Sequence, residues 1–150
     1  MKTRIISGAV LTVILVGAVL GGGTTMFILA AIITALGLYE LYKVVGIEKK
    51  ALGICGYILA ASFYTMLWFD KLQYLEYFCV ASGILTMFVY VCSFKTTRAK
   101  QAAFSLLGIY YVAIPISYIY RIRIMEKGIF IFILVFVCSW IADTFAYFTG

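Results

Sequence analysis

The sequence predicts an all-α integral membrane protein of about six transmembrane helices. Composition sets the solvent: 65% of the 150 residues are hydrophobic and only 12% are charged, with a mean hydropathy of +1.11. Pattern sets the architecture. Leu, Ile, Ala and Phe continue around every face of several long runs, each close to the roughly 20 residues a helix needs to cross a bilayer. Strand-like alternation is absent from these runs, which argues against a porin-like barrel.

Taken in order, the expected spans are about Arg4–Leu20, Thr24–Val45, Ala51–Phe69, Gln73–Phe94, Ala102–Tyr120 and Ile129–Phe148, forming one transmembrane helical domain over residues 1–150. The first span has an alternative. Met1-Lys2-Thr3-Arg4, an apolar run and Gly21-Gly22-Gly23 also fit a cleaved signal peptide, although an uncleaved helix suits the charge pattern better. The three glycines carry no basic neighbour, so a tight outer turn outranks a phosphate cradle.

Lys and Arg collect in cytoplasmic loops, and with the N-terminus inside they divide eight to four. Lys2, Arg4, Lys43, Lys49, Lys50, Lys95, Arg98 and Lys100 are then inner, and Lys71, Arg121, Arg123 and Lys127 outer. The Arg121/Arg123 pair runs against this orientation. In a soluble protein a net charge of +6 would suggest nucleic acid; in short membrane loops it reads first as topology and headgroup anchoring, with no nucleic-acid partner expected. The cluster Lys95, Arg98 and Lys100 is the candidate for binding substrate phosphate.

The last apolar run carries one carboxylate, Asp143. An ionisable group at the centre of a span costs roughly 2.5–3.5 kcal/mol on insertion scales and usually faces a cavity, an ion or a partner. On the inward-N topology Asp143 lies about five residues, roughly 7 Å, from the cytoplasmic end. At 100° per residue, Ser139, Asp143, Ala146, Tyr147 and Gly150 share one stripe and Leu134, Val137, Ile141, Phe145 and Phe148 the opposite one. Ala142, Ala146 and Gly150 form a small-x-x-x-small series that admits a close neighbouring helix, so a homodimer stays open. Asp143 is the candidate catalytic and metal-linked residue, directly or through water, supported by Ser139 and Tyr147. The bland alternative is a carboxylate that bonds a hydroxyl or a basic residue across a helix contact.

Other residues speak more quietly. Glu40 and Lys43 stand one turn apart and can pair at the interface. Tyrosines 39, 42, 110, 111, 118 and 120 fall near span ends or helix interfaces. Cys55, Cys79, Cys92 and Cys138 lie in separate apolar runs without C-x-x-C spacing and read as packing residues. With no histidine in the chain, a histidine metal site or base is excluded.

Four stretches together resemble a known family. Arg4-Ile5-Ile6-Ser7-Gly8, Tyr39-Glu40-Leu41, Gly108-Ile109-Tyr110-Tyr111-Val112 and above all Ser139-Trp140-Ile141-Ala142-Asp143-Thr144-Phe145-Ala146-Tyr147-Phe148-Thr149-Gly150 are similar to the N-terminal part of bacterial phosphatidate cytidylyltransferases, the CDP-diacylglycerol synthases. The resemblance implies a nucleotidyltransferase of phospholipid biosynthesis in the inner (plasma) membrane, using CTP, phosphatidate and Mg2+. The family's C-terminal signature of lysine-aspartate, histidine-glycine-glycine and aspartate-arginine elements has no counterpart here, so residues 1–150 are expected to be a truncated part of a larger polytopic bundle, inactive alone. A small multipass transporter or channel component, and a non-catalytic assembly subunit, remain the other function classes.

The charge division predicts that the N-terminus and the loop Lys95–Lys100 are cytoplasmic. Reporter fusions in that loop check it, and activity on the periplasmic face would overturn the orientation.

Overall fold

The computed structural model describes Leu15 and residues 17–149, and all regular structure among them is helical. We label the helices α1 (Gly23–Val45), α2 (Ala51–Trp68), α3 (Leu75–Cys92), α4 (Ala99–Leu107), α5 (Ile114–Arg123) and α6 (Gly128–Thr149). A 3-10 turn, Leu72–Tyr74, leads into α3, and a π-helical turn, Gly108–Ala113, joins α4 to α5 without a break. Five of the resulting helical segments are long and apolar enough to cross a membrane: Gly23–Val45, Ala51–Trp68, Leu72–Cys92, Ala99–Arg123 and Gly128–Thr149. The chain is a multi-pass helical membrane protein.

These segments match the five expected spans after the first. That first one, Arg4–Leu20, falls mostly outside the described residues; within them Leu15 and residues 17–20 are helical and Gly22 turns the chain with φ +98°. The largest difference is the fifth span, which extends three residues beyond the expectation at each end. Polar end residues are absorbed into the helix rather than excluded from it. At the start, the Gln101 side-chain oxygen accepts from the Arg98 N–H at 3.1 Å; at the finish, the Arg121 guanidinium stacks 4.8 Å from the Tyr118 ring centroid.

The π turn was invisible to hydropathy. Its signature bond runs from the Ile114 N–H to the Ile109 carbonyl, five residues back. Pro115 follows, and a proline in a helix clashes with the carbonyl four residues earlier, here Tyr111 inside the turn. A widened turn at that point relieves the clash.

Two compact units divide the chain: Ala31–Ser117, and Met1–Ala30 with Tyr118–Gly150. In the second unit Ala18, Val19, Met26 and Phe132 form a buried cluster, and the Arg123 guanidinium donates to the Val19 carbonyl at 2.8 Å. Beyond Phe132, α6 has no buried residue among those described.

The first unit is organised around Tyr42, which is fully buried. Its phenol donates to the Ser105 carbonyl at 2.9 Å, and the Ser105 hydroxyl donates to the Leu52 carbonyl at 2.8 Å, tying α1 to α4 and α4 to α2. The ring enters because two neighbours are glycine: a Cβ on Gly56 would collide with the Tyr42 hydroxyl, and one on Gly108 would come within 2.6 Å of it. Small residues are how helices approach closely in lipid. Further bonds fasten the same unit, the buried Thr34 to Tyr64 at 2.6 Å and the partly buried Ser82 to Tyr110 at 2.8 Å. Tyr110 also donates to the Cys79 carbonyl at 2.8 Å, so the π turn is pinned to α3.

The end of α1 is a Schellman turn. Gly46 sits at φ +69°, its N–H bonds Lys43 O at 3.1 Å, and the Ile47 N–H bonds Tyr42 O at 2.9 Å. Lys43 turns onto the Tyr39 ring, with Nζ 5.8 Å from its centroid, and makes no ion pair with Glu40 among the described residues, contrary to expectation. At an interface an ammonium over an adjacent ring keeps its hydration while covering apolar surface. The cysteines also divide: Cys55 is buried, Cys79 intermediate, and Cys92 and Cys138 exposed, so only Cys55 is an enclosed packing residue.

Gly108→Ala should lower the midpoint of thermal unfolding in detergent, by about 1–3 kcal/mol of overpacking, although alanine gains roughly 1 kcal/mol in helix propensity. Adding Tyr42→Phe, which removes the obstructing hydroxyl, should recover part of the loss. An unchanged or raised midpoint for Gly108→Ala would refute the wedge.

Candidate functional site

Two polar features merit comparison with the expectations, one in each unit. The first is built where α1 turns into α2 and α3 turns into α4. Gln101, in the first turn of α4, donates through Nε2 to the Val45 carbonyl at 3.1 Å while its Oε1 accepts from the Arg98 N–H. Lys50, just before α2, donates from Nζ to the Thr96 carbonyl at 3.3 Å. Thr97 is buried, its hydroxyl donating to the Ser93 carbonyl at 2.8 Å. These bonds fix two turns 46 residues apart in sequence against each other.

Between the turns lies an open groove of about 600 Å³, whose cationic lining is Lys50, Lys95 and Arg98, beside Gln101 and with no carboxylate. The structure thus brings together two of the three predicted phosphate residues. It leaves out the third: Lys100 does not line the groove, and its Nζ lies 5.8 Å from the Phe104 ring centroid. Backbone geometry explains this: Arg98 is still extended before the helix, whereas Lys100 lies inside α4, about 100° around its axis from Gln101, the α4 residue that does line the groove. Lys50 and Gln101 were missed. The one signal available for Lys50 was the alternation of spans, which puts both turns on the same side of the membrane.

The second feature is Asp143 on α6. Asp143, Ser139 and Tyr147 are all exposed, as are Trp140, Ile141, Phe145 and Phe148 on the same helix. Thr144 and Thr149 spend their hydroxyls on the carbonyls of Trp140 and Phe145, at 2.7 and 2.8 Å. Gly150, the last member of the predicted small-residue series, lies outside the described residues. Among the described residues no group of three or more His, Cys, Asp or Glu is placed to hold a metal ion. Asp143 is a hard oxygen donor of the kind Mg2+ prefers, but the described residues do not by themselves build a magnesium site around it.

Comparison with known proteins adds what geometry alone does not. The chain is 28% identical to a phosphatidate cytidylyltransferase of Staphylococcus saprophyticus and 27% identical to one of Staphylococcus haemolyticus. Each alignment covers 100% of this chain and 58% of the relative, so the chain spans a little over half the length of these curated proteins. No solved structure matches. The sequence profile of the cytidylyltransferase family matches residues 2–150, and the chain belongs to that family.

Proposed function

We propose that this chain is part of a phosphatidate cytidylyltransferase, a nucleotidyltransferase of phospholipid biosynthesis. In that reaction a phosphate oxygen of phosphatidate attacks the α-phosphorus of CTP, the bond to the β-phosphate breaks, and CDP-diacylglycerol and pyrophosphate result. The observation that carries the reading is the family match over residues 2–150, which includes the one carboxylate of the apolar helix α6. The relatives' names support the substrates.

Such a transfer joins an anionic lipid to an anionic nucleotide, so it needs cations to offset charge and groups to hold the reactants in line. Asp143 is assigned the acidic role, contributing a carboxylate to Mg2+ directly or through water, with Ser139 and Tyr147 supporting it along the same stripe. Magnesium commonly keeps several waters and takes one or two protein carboxylates, which is compatible with a lone acid on α6. When bound, the ion would neutralise nucleotide phosphate charge. Lys95 and Arg98 are assigned to phosphate binding, while the placement of Lys100 over Phe104 removes its support. An inner-membrane location, a cytoplasmic N-terminus and a homodimer belong to the same proposal.

In the full-length protein, Asp143→Asn should lower CDP-diacylglycerol formation at least tenfold, about 1.4 kcal/mol of transition-state stabilisation, with membrane insertion and thermal stability retained. A magnesium titration of both proteins at equal folded concentration decides the role. An unchanged rate and unchanged half-saturating magnesium would remove Asp143 from the reaction.

A further inference from the structure

The groove between the α1–α2 and α3–α4 turns has a chemistry that narrows its occupant. Its three cations, Lys50, Lys95 and Arg98, come from two separate turns, and no carboxylate lines it to neutralise them. Its walls are held from behind: Gln101 ties α4 to the last residue of α1, Lys50 ties its own turn to Thr96, and Thr97 is bonded inward to Ser93. Lys95 is exposed and Arg98 commits its backbone N–H and carbonyl to the scaffold, so these two cationic heads remain available to a ligand.

Position supplies the second constraint. Membrane-crossing helices α1 and α3 end at this groove while α2 and the Ala99–Arg123 segment begin there, which puts it at headgroup depth. Phe94 lines its edge and is 66% exposed, meeting Tyr90 edge to face with ring centroids 5.9 Å apart. An exposed ring against a half-buried tyrosine, beside a cationic groove at a span end, matches the aromatic belt of a membrane interface. A ligand that is anionic at the head and apolar just beneath it satisfies both parts; a free anion satisfies only the first.

We propose that this groove is a binding site for the phosphate of a membrane lipid in the adjoining leaflet, held by Lys50, Lys95 and Arg98 with the acyl region against Phe94. This rests on the phosphate-binding reading of Lys95 and Arg98 above and not on any role of Asp143. It adds Lys50, separates Lys100 from the set, and assigns the phosphate to the bilayer rather than to a soluble molecule. Arg98 can meet two phosphate oxygens at once, and the lysines act as point charges on the others.

The test uses the full-length protein in phosphatidylcholine nanodiscs, titrated with a spin-labelled phosphatidate and with spin-labelled phosphatidylcholine as the reference. The wild type should prefer phosphatidate by roughly tenfold or more, the scale of two or three basic side chains at a membrane surface. Lys50→Gln combined with Arg98→Gln should abolish the preference, and Lys100→Gln should keep it. Because Lys50 also bonds Thr96, Lys95→Gln, which breaks no bond of the scaffold, is the second variant, and it should reduce the preference with unfolding unchanged. Equal losses for Lys100→Gln and the double variant would replace the site with diffuse surface charge. Competition by inorganic phosphate or CTP as effective as that by unlabelled lipid would overturn the lipid assignment while leaving a phosphate site. No preference in the wild type, and no protection of the groove by either anion in footprinting, would end the phosphate reading too.

Discussion

A buried phenol in a bilayer-spanning helix has few options, and the unit Ala31–Ser117 is built around satisfying one. Enclosed by protein on all sides, the Tyr42 hydroxyl must find its acceptor within the fold. The acceptor is the Ser105 carbonyl, reached only because Gly56 and Gly108 leave room for the ring. Ser105 then passes the connection on through its hydroxyl to Leu52. One side chain thereby sets the spacing of three helices.

The same contact sets the register of the polar end. Three residues after Tyr42, Val45 accepts from Gln101, which stands four residues before Ser105. Steps forward on α1 and backward on α4 describe two antiparallel helices held at two points about one turn apart. Sliding either would break both bonds and move Arg98 away from Lys50, so the cationic groove depends on packing deeper in the span. The Schellman turn at Gly46 completes this by burying Ile47, which directs the chain back toward α2 within a few residues.

Hydropathy made the helices legible because the bilayer imposes a length and a polarity on each span, and both are one-dimensional properties of sequence. What it could not reveal depends on azimuth and on distant partners. Tyr42 reads like any tyrosine near a span end until Gly56 and Gly108 are known to face it. Lys100 reads like Lys95 and Arg98 until the start of α4 at Ala99 carries it onto another face of the helix, and Lys50 looks unrelated until the turns are paired. The π turn has a local cause in Pro115, but nothing in composition says that the helix will widen rather than kink. Asp143 stood out in the sequence for the opposite reason: its cost is fixed by depth and charge, whatever its neighbours are.

That cost also distinguishes the two units. In Ala31–Ser117 the buried hydroxyls of Thr34, Tyr42, Thr86 and Ser105 have partners within the unit, and among the described residues only the Tyr57 hydroxyl is buried without one. On α6 the described residues bury Gly128 and Phe132, and from Ile133 onward all but the half-buried Phe136 are exposed, Asp143 included. For Ile133, Leu134 or Phe145, exposure to acyl chains is favourable and needs no explanation. A carboxylate is different, since hydrocarbon offers it neither a hydrogen bond nor a counter-charge. The stripe bearing Ser139, Asp143 and Tyr147 must therefore meet water, a cation or polar protein in the membrane, and a substitution that keeps the shape of Asp143 but removes its charge separates a group retained for chemistry from one retained for packing.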